Sequence, residues 1–121
     1  MTNRTLGFVN APVLGQMLAE SLLDEGVDLS VYARRRQIMA QMLTDAGLSF
    51  AMPAGGFYFF PEAPGGDDHA FVQRLLTEKI LAVPGRGFGF PGFFRMTFCM
   101  DEQVILRAAP GFKRVMKDYR K

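Results

Sequence analysis

Apolar residues recur at helical spacing near the start of the chain: Leu14, Met17, Leu18 and Leu22 share one stripe with Ser21. Asn10, which can cap free N–H groups, and Pro12, suited to a first turn, announce this helix, and Gly26 ends it. A second helix is expected to begin near Asp28 or Ser30 and stop at Gly47. Tyr32, Arg35, Met39, Met42, Leu43 and Ala46 lie along its inner side. Strand signals follow. Leu48 to Met52 reads as a short strand and Pro53 to Gly56 as a turn. The aromatic run Phe57-Tyr-Phe-Phe60 reads as a strand covered on both faces, or packed against another part of a larger protein. After a loop from Pro61 to Gly66, Asp67 or Asp68 caps a third helix carrying Phe71, Leu75, Leu76 and Ile80.

A brief strand at Leu81 to Val83 leads into the glycine-rich loop Pro84-Gly-Arg-Gly-Phe-Gly-Phe-Pro-Gly92, and then into Phe93 to Cys99. Alternation puts Phe94, Met96 and Phe98 on one face of that last strand, and Phe93, Arg95, Thr97 and Cys99 on the other. Asp101 caps a fourth helix with Ile105 and Leu106 inward. Pro110-Gly111 is expected to kink or restart it, and Phe112, Val115, Met116 and Tyr119 continue its apolar stripe. The order is α-α-β-β-α-β-β-α, a two-layer α+β domain with helices packed on a small mixed sheet. Residues 1–121 read as a single domain, with residues 1–9 as an extended lead-in around Thr5 to Val9.

Composition narrows the class. The 121 residues match the usual size of one domain, and 49% apolar content can supply its core. A net charge of +2 is too small to imply nucleic acid or an anionic membrane. The single cysteine, Cys99, excludes an internal disulfide and fits a reducing compartment. No apolar run has the length of a membrane span, and the N-terminus has no signal-peptide pattern. A cytoplasmic protein is expected.

Arg95 carries the clearest chemistry. A guanidinium amid Phe94, Met96 and Phe98 is costly to bury without an anion, and its planar fork suits a carboxylate. The preceding loop, with glycines at 85, 87, 89 and 92, lets something approach its backbone closely. These residues suggest a site for a small carboxylic acid, but fit an arginine paired with a carboxylate of its own chain equally well. Other candidates fall away. Gly87 to Gly92 spells G-x-G-x-x-G, but that motif needs a helix N-terminus to receive a pyrophosphate, and a strand follows here. His69 has no partner for a metal site or triad, so a solvated or capping role is expected. Cys99 is expected to pack in the core. Arg34 to Arg36 and the basic residues of the last helix read as solvated faces. No pair of carboxylates has a spacing that argues for acid–base work. The bare sequence offers no metal ligands and no catalytic residue.

Five segments in register add a family likeness. Asn10-Ala-Pro12 with Gln16, Tyr32-Ala-Arg-Arg-Arg36, Pro53 to Phe60, Val83-Pro-Gly85 with Phe88-Gly89, and Phe94-Arg-Met-Thr-Phe98 together resemble the C-terminal part of a class I/II pyridoxal-phosphate-dependent aminotransferase. The resemblance implies the small domain of a fold-type-I enzyme, in which Arg95 binds the substrate's α-carboxylate. It places Gly85, Arg86 and Phe88 in a possible active-site loop. Arg86 stands where the family often has serine, so it is either a surface residue or a second anion contact favouring acidic substrates. The resemblance further implies pyridoxal 5'-phosphate as the electron sink, a large cofactor-binding domain of the same polypeptide as partner, and a homodimeric parent. The family's Ser-x-x-Lys stretch, the aspartate facing the pyridine nitrogen and the phosphate cup are not found here. Lys79, Lys113, Lys117 and Lys121 all fall on expected helix surfaces. The chain is therefore expected to be an excised C-terminal domain, inactive alone and holding no cofactor covalently. Two alternatives remain: the small domain of a carbon–sulfur lyase, or a free-standing, non-enzymatic carboxylate-binding module.

Overall fold

The computed structural model describes residues 11–119. Helix α1 spans Val13–Ser21 and α2 spans Leu29–Ala46. Strand β1 is Tyr58–Phe59, and a 3-10 turn at Pro64–Gly66 precedes α3, Asp68–Thr77. Strand β2 is Val83–Pro84, a second 3-10 turn covers Gly85–Phe88, β3 is Phe94–Thr97, and α4 is Glu102–Lys117. The architecture is the expected α+β domain, with helices against a small three-stranded sheet. Two details differ. Both strand pairings are antiparallel rather than mixed, in the order β1-β3-β2. The segment from Leu48 to Met52 forms no strand; Leu48 turns inward and Ser49 only lends its carbonyl to the Glu62 N–H at 2.9 Å. The order is thus α-α-β-α-β-β-α.

Helix ends follow local chemistry. Asp28 caps α2 by accepting from the Ser30 N–H at 2.9 Å, and Gly47 ends it in the left-handed conformation that glycine adopts without strain. Asp67 caps α3 through His69 and Ala70, and Asp101 caps α4 through Gln103. Asn10 lies outside the described residues. Pro12 sits at the N-cap of α1 rather than in its first turn, and α1 ends at Ser21, before Gly26.

The core is built from the inner stripes of α2, α3 and α4 against one face of the sheet. Met39, Met42, Leu43, Phe71, Leu75, Ile105, Phe112 and Val115 meet Phe59, Phe94, Met96 and Phe98 there. Phe59 lies edge-on to both Phe50 and Phe98, at 5.3 and 5.8 Å between ring centroids, as aromatic quadrupoles prefer. Arg36 ties α2 to the following loop by donating to the Pro53 carbonyl at 3.0 Å.

Helix α4 runs unbroken through Pro110 instead of kinking into two. Proline removes the bond to the Leu106 carbonyl, but both residues are exposed, so water can satisfy that oxygen. The next residue is a glycine in close contact: a Cβ on Gly111 would meet Ile80 Cδ1 at 2.9 Å and Glu78 Cβ at 3.3 Å, so α4 seats closely against the end of α3. Leu76 and Leu106 are exposed rather than inward, each one residue off the stripe set by Leu75 and Ile105. Cys99 is likewise exposed, because regular pairing ends at Thr97 and leaves it beyond the sheet. The apolar stripe of α1 packs on nothing described: that helix buries no residue.

Candidate functional site

The alternation read from the sequence organises the outer face of the sheet. Phe94, Met96 and Phe98 are buried, while Arg95 and Thr97 are only partly covered. The register pairs Tyr58 with Thr97 and Phe59 with Met96 on one side of β3, and Val83 with Arg95 on the other. Tyr58 is therefore the diagonal neighbour of Arg95 on the same face, within reach of a long side chain. Its ring centroid lies 4.4 Å from the Arg95 guanidinium carbon. Phe88, which follows β2, brings a second ring to 4.2 Å of the same carbon. The two rings thus come from elements on opposite sides of β3. Contacts of this kind contribute about 0.5–2 kcal/mol each, more as water is excluded.

Further aromatic rings wall this region. Phe60 stacks on Phe93 at 5.7 Å, and meets Phe88 and Phe90 nearly edge-on at 6.3 and 5.9 Å. The run Phe57 to Phe60 is not covered on both faces. Phe59 is buried, whereas Phe57 and Tyr58 stay exposed, Tyr58 beside Arg95 and Phe57 against Tyr32.

Among the described residues, no carboxylate pairs with Arg95, which makes none of the side-chain hydrogen bonds found elsewhere in the domain. Its N–H donors have no anion among the described residues. Arg86 is the opposite case. It engages Asp68 through Nε at 2.9 Å and Nη2 at 2.6 Å, and Asp67 through Nη2 at 3.2 Å. The Arg86 guanidinium, with its backbone N–H and that of Gly92, holds the Asp68 carboxyl well below the usual carboxylate range despite burial, which pushes the other way. The same bond raises the Arg86 value.

Gly85 positions the turn. A Cβ there would lie 2.6 Å from the Phe93 carbonyl oxygen and closer still to that of Phe90. The Gly85 N–H donates to Phe93 O at 2.7 Å, and the Phe90 N–H returns to Gly85 O at 3.0 Å. Gly89 and Gly92 take positive φ, 79° and 84°, where side chains are strained. A strand follows this loop and no helix begins in it, as expected for a chance G-x-G-x-x-G. His69 is exposed in the first turn of α3, with no cluster of metal-ligating side chains among the described residues. Among the described residues, no helix is long and apolar enough to cross a membrane.

Sequence reasoning missed Tyr58 and Asp68. Tyr58 becomes a neighbour of Arg95 only through the β1–β3 register. Asp68 carried a faint signal: of two adjacent aspartates before a helix, one caps, and the other is free to do something else.

A small α+β domain with an uncompensated arginine on an aromatic sheet face is the class that the geometry defines. Comparison with known proteins makes the assignment specific. Residues 10–112 match the family Aminotransferase class I and II, and the chain belongs to that family. It is 38% identical over 71% of its length to an aspartate aminotransferase of Thermotoga maritima, and 34% identical over 70% to an aspartate/prephenate aminotransferase of Thermus thermophilus. Each match covers 23% of the relative, so the chain spans about a quarter of those proteins. An aminotransferase structure from Eubacterium rectale superposes with a TM-score of 0.88 at 34% identity, covering 98% of this chain and 30% of that one. The Thermus thermophilus aspartate aminotransferase solved with maleate gives a TM-score of 0.67 at 31% identity, covering 69% of this chain and 22% of that one.

Proposed function

We propose that this chain is the small domain of a pyridoxal-phosphate-dependent aminotransferase, and that Arg95 binds the α-carboxylate of the amino acid or 2-oxo acid substrate. The observation that carries this reading is the Arg95 guanidinium, held against Tyr58 and Phe88 with no carboxylate of the described chain to neutralise it. A planar fork with free donors accepts a carboxylate through two parallel hydrogen bonds. The aromatic surroundings thin out water and strengthen that contact. Fixing the carboxylate fixes the orientation of the substrate's Cα, which is the part of catalysis this domain can supply.

The residues around Arg95 do not fit the cofactor by themselves. They are aromatic and include no lysine; Lys79, Lys113 and Lys117 are exposed in the turn after α3 and on α4. In the proposed reading the cofactor and its lysine belong to a large domain of the same polypeptide, in a homodimeric parent. The 121-residue chain alone then forms no borohydride-stable adduct with pyridoxal phosphate and does not transaminate. A single modified lysine with turnover, found by mass spectrometry, would show the reading to be wrong. Arg86, engaged by Asp67 and Asp68, gives no support to a preference for acidic substrates. A second carboxylate, such as the one on the maleate bound by the Thermus relative, would need a cation from elsewhere.

The deciding experiment uses the complete parent enzyme. Charged hydrogen bonds contribute about 1.5–3 kcal/mol each, so Arg95→Ala is expected to lower kcat/KM by on the order of a hundredfold or more. Arg95→Lys recovers part of this, since an ammonium cannot reproduce the fork. Unchanged kinetics in a folded Arg95→Ala enzyme would remove the assignment.

A further inference from the structure

Asp68 is the one charged side chain fully buried among the described residues. It opens α3 but does not cap it, because Asp67 does. Its carboxylate reaches instead into the glycine-rich loop. Oδ2 accepts from the Arg86 backbone N–H at 2.9 Å, and Oδ1 accepts from the Arg86 side chain. One buried carboxylate therefore holds both the backbone and the side chain of Arg86, where the segment from Arg86 to Gly92 begins.

Backbone bonds from Phe90 to Gly85 and from Gly89 to Arg86, with the Phe60 ring against Phe88 and Phe90, shape the rest of that segment. Among the described residues, no other side chain bonds to Arg86 besides Asp67. The segment contains one 3-10 turn and two glycines at positive φ, and carries Phe88 and Phe90 exposed at its tip. Phe88 is the ring it brings to Arg95. An arginine side chain has many rotamers, and a ring set against its guanidinium removes most of them before a ligand arrives.

We propose that Asp68 and Arg86 form a positioning clasp that sets Phe88 against Arg95, and so fixes the direction in which Arg95 offers its donors to a carboxylate. Arg86 is then a positioning residue and not an anion contact. In so far as the ligand is a carboxylate, the inference rests on the function proposed above. The geometric half of it, clasp to Phe88 to Arg95, stands separately.

The test uses the chain labelled with 15N-arginine, in which a ring beside Arg95 displaces its Nε–H signal upfield; Arg95→Lys identifies the signal. Acetate is the probe, against chloride at matched ionic strength. In Arg86→Ala and Asp68→Asn, the upfield displacement is expected to shrink while the methyl signals of buried Ile105 and Val115 stay in place. The acetate dissociation constant is expected to rise by roughly tenfold, the usual scale for lost preorganisation. Phe88→Leu should weaken acetate similarly with the Arg86 side-chain signal unmoved. Where Asp68→Asn fails to fold, Arg86→Lys, which keeps a cation at a half-exposed position, carries the same expectation in weaker form. An unmoved Arg95 signal in the folded clasp variants overturns the proposal. If acetate leaves the wild-type signal unchanged, the carboxylate reading fails, and the response of that signal to Arg86→Ala still decides the clasp.

Discussion

Gly85 and Phe93 meet too closely for a side chain between them: the Gly85 N–H donates to the Phe93 carbonyl at 2.7 Å, and that same oxygen lies 2.6 Å from where a Gly85 Cβ would stand. Both atoms in conflict are backbone, so neither can swing away. Gly85→Ala is therefore expected to destabilise the domain by about 1–3 kcal/mol, the usual range for overpacking a tight site. For a domain of this size each ~1 kcal/mol lowers Tm by roughly 4 °C, which a thermal melt resolves. Gly87→Ala, where nothing lies within 4 Å of the added carbon, is the matched control and should melt close to wild type. Equal melting of the two variants would show that the turn has another conformation.

Acid sensitivity should centre on Asp68 and Glu78. The Arg114 side chain, bonded through Nε at 2.9 Å and Nη2 at 2.6 Å, is the main cause that holds the Glu78 carboxyl below its ordinary value. Arg86 does the same for Asp68. A carboxyl whose folded value is depressed stabilises the fold fully above its unfolded value, about 3.9 for Asp and 4.3 for Glu. That contribution is lost as pH falls toward the folded value. Urea midpoints should fall as pH drops below about 5. Glu78→Gln should be less stable than wild type at neutral pH, with the gap closing in acid. A gap independent of pH would mean that the Glu78–Arg114 contact is not ionic in solution.

The apolar stripe of α1 has no cover among the described residues. Leu14, Met17, Leu18, Leu22 and Leu23 are all exposed, Leu23 at 79%. Phe88 and Phe90 add a second exposed apolar site. Contiguous apolar surface of this kind drives association. The chain alone should self-associate at high concentration by light scattering, and Leu14→Glu with Leu18→Glu should return it toward monomer. A wild-type chain that stays monomeric at millimolar concentration would count against its being an excised domain. The expected extended lead-in from Thr5 to Val9 lies outside the described residues.

Much of this domain follows from local rules. A capping aspartate and a terminal glycine mark the ends of α2, because they satisfy the same free backbone groups in any setting. Alternation put Phe94, Met96 and Phe98 on one face and Arg95 on the other before any neighbour was known, and the structure buries the first of these faces. Five spaced segments were enough for the family likeness that the comparisons bear out. Tertiary structure decided the rest. Whether Leu48 to Met52 would pair as a strand depended on a partner that the sheet does not provide. Cys99 and Leu106 are apolar by type yet exposed by place, since burial depends on what packs over a residue. The same distinction separates the two arginines. In sequence either could have been paired or free; only the approach of α3 to the glycine loop gave Arg86 a carboxylate and left Arg95 with two rings and open donors. Periodicity is a property of the chain, but the partner of a charge is a property of the contacts that bring distant segments together.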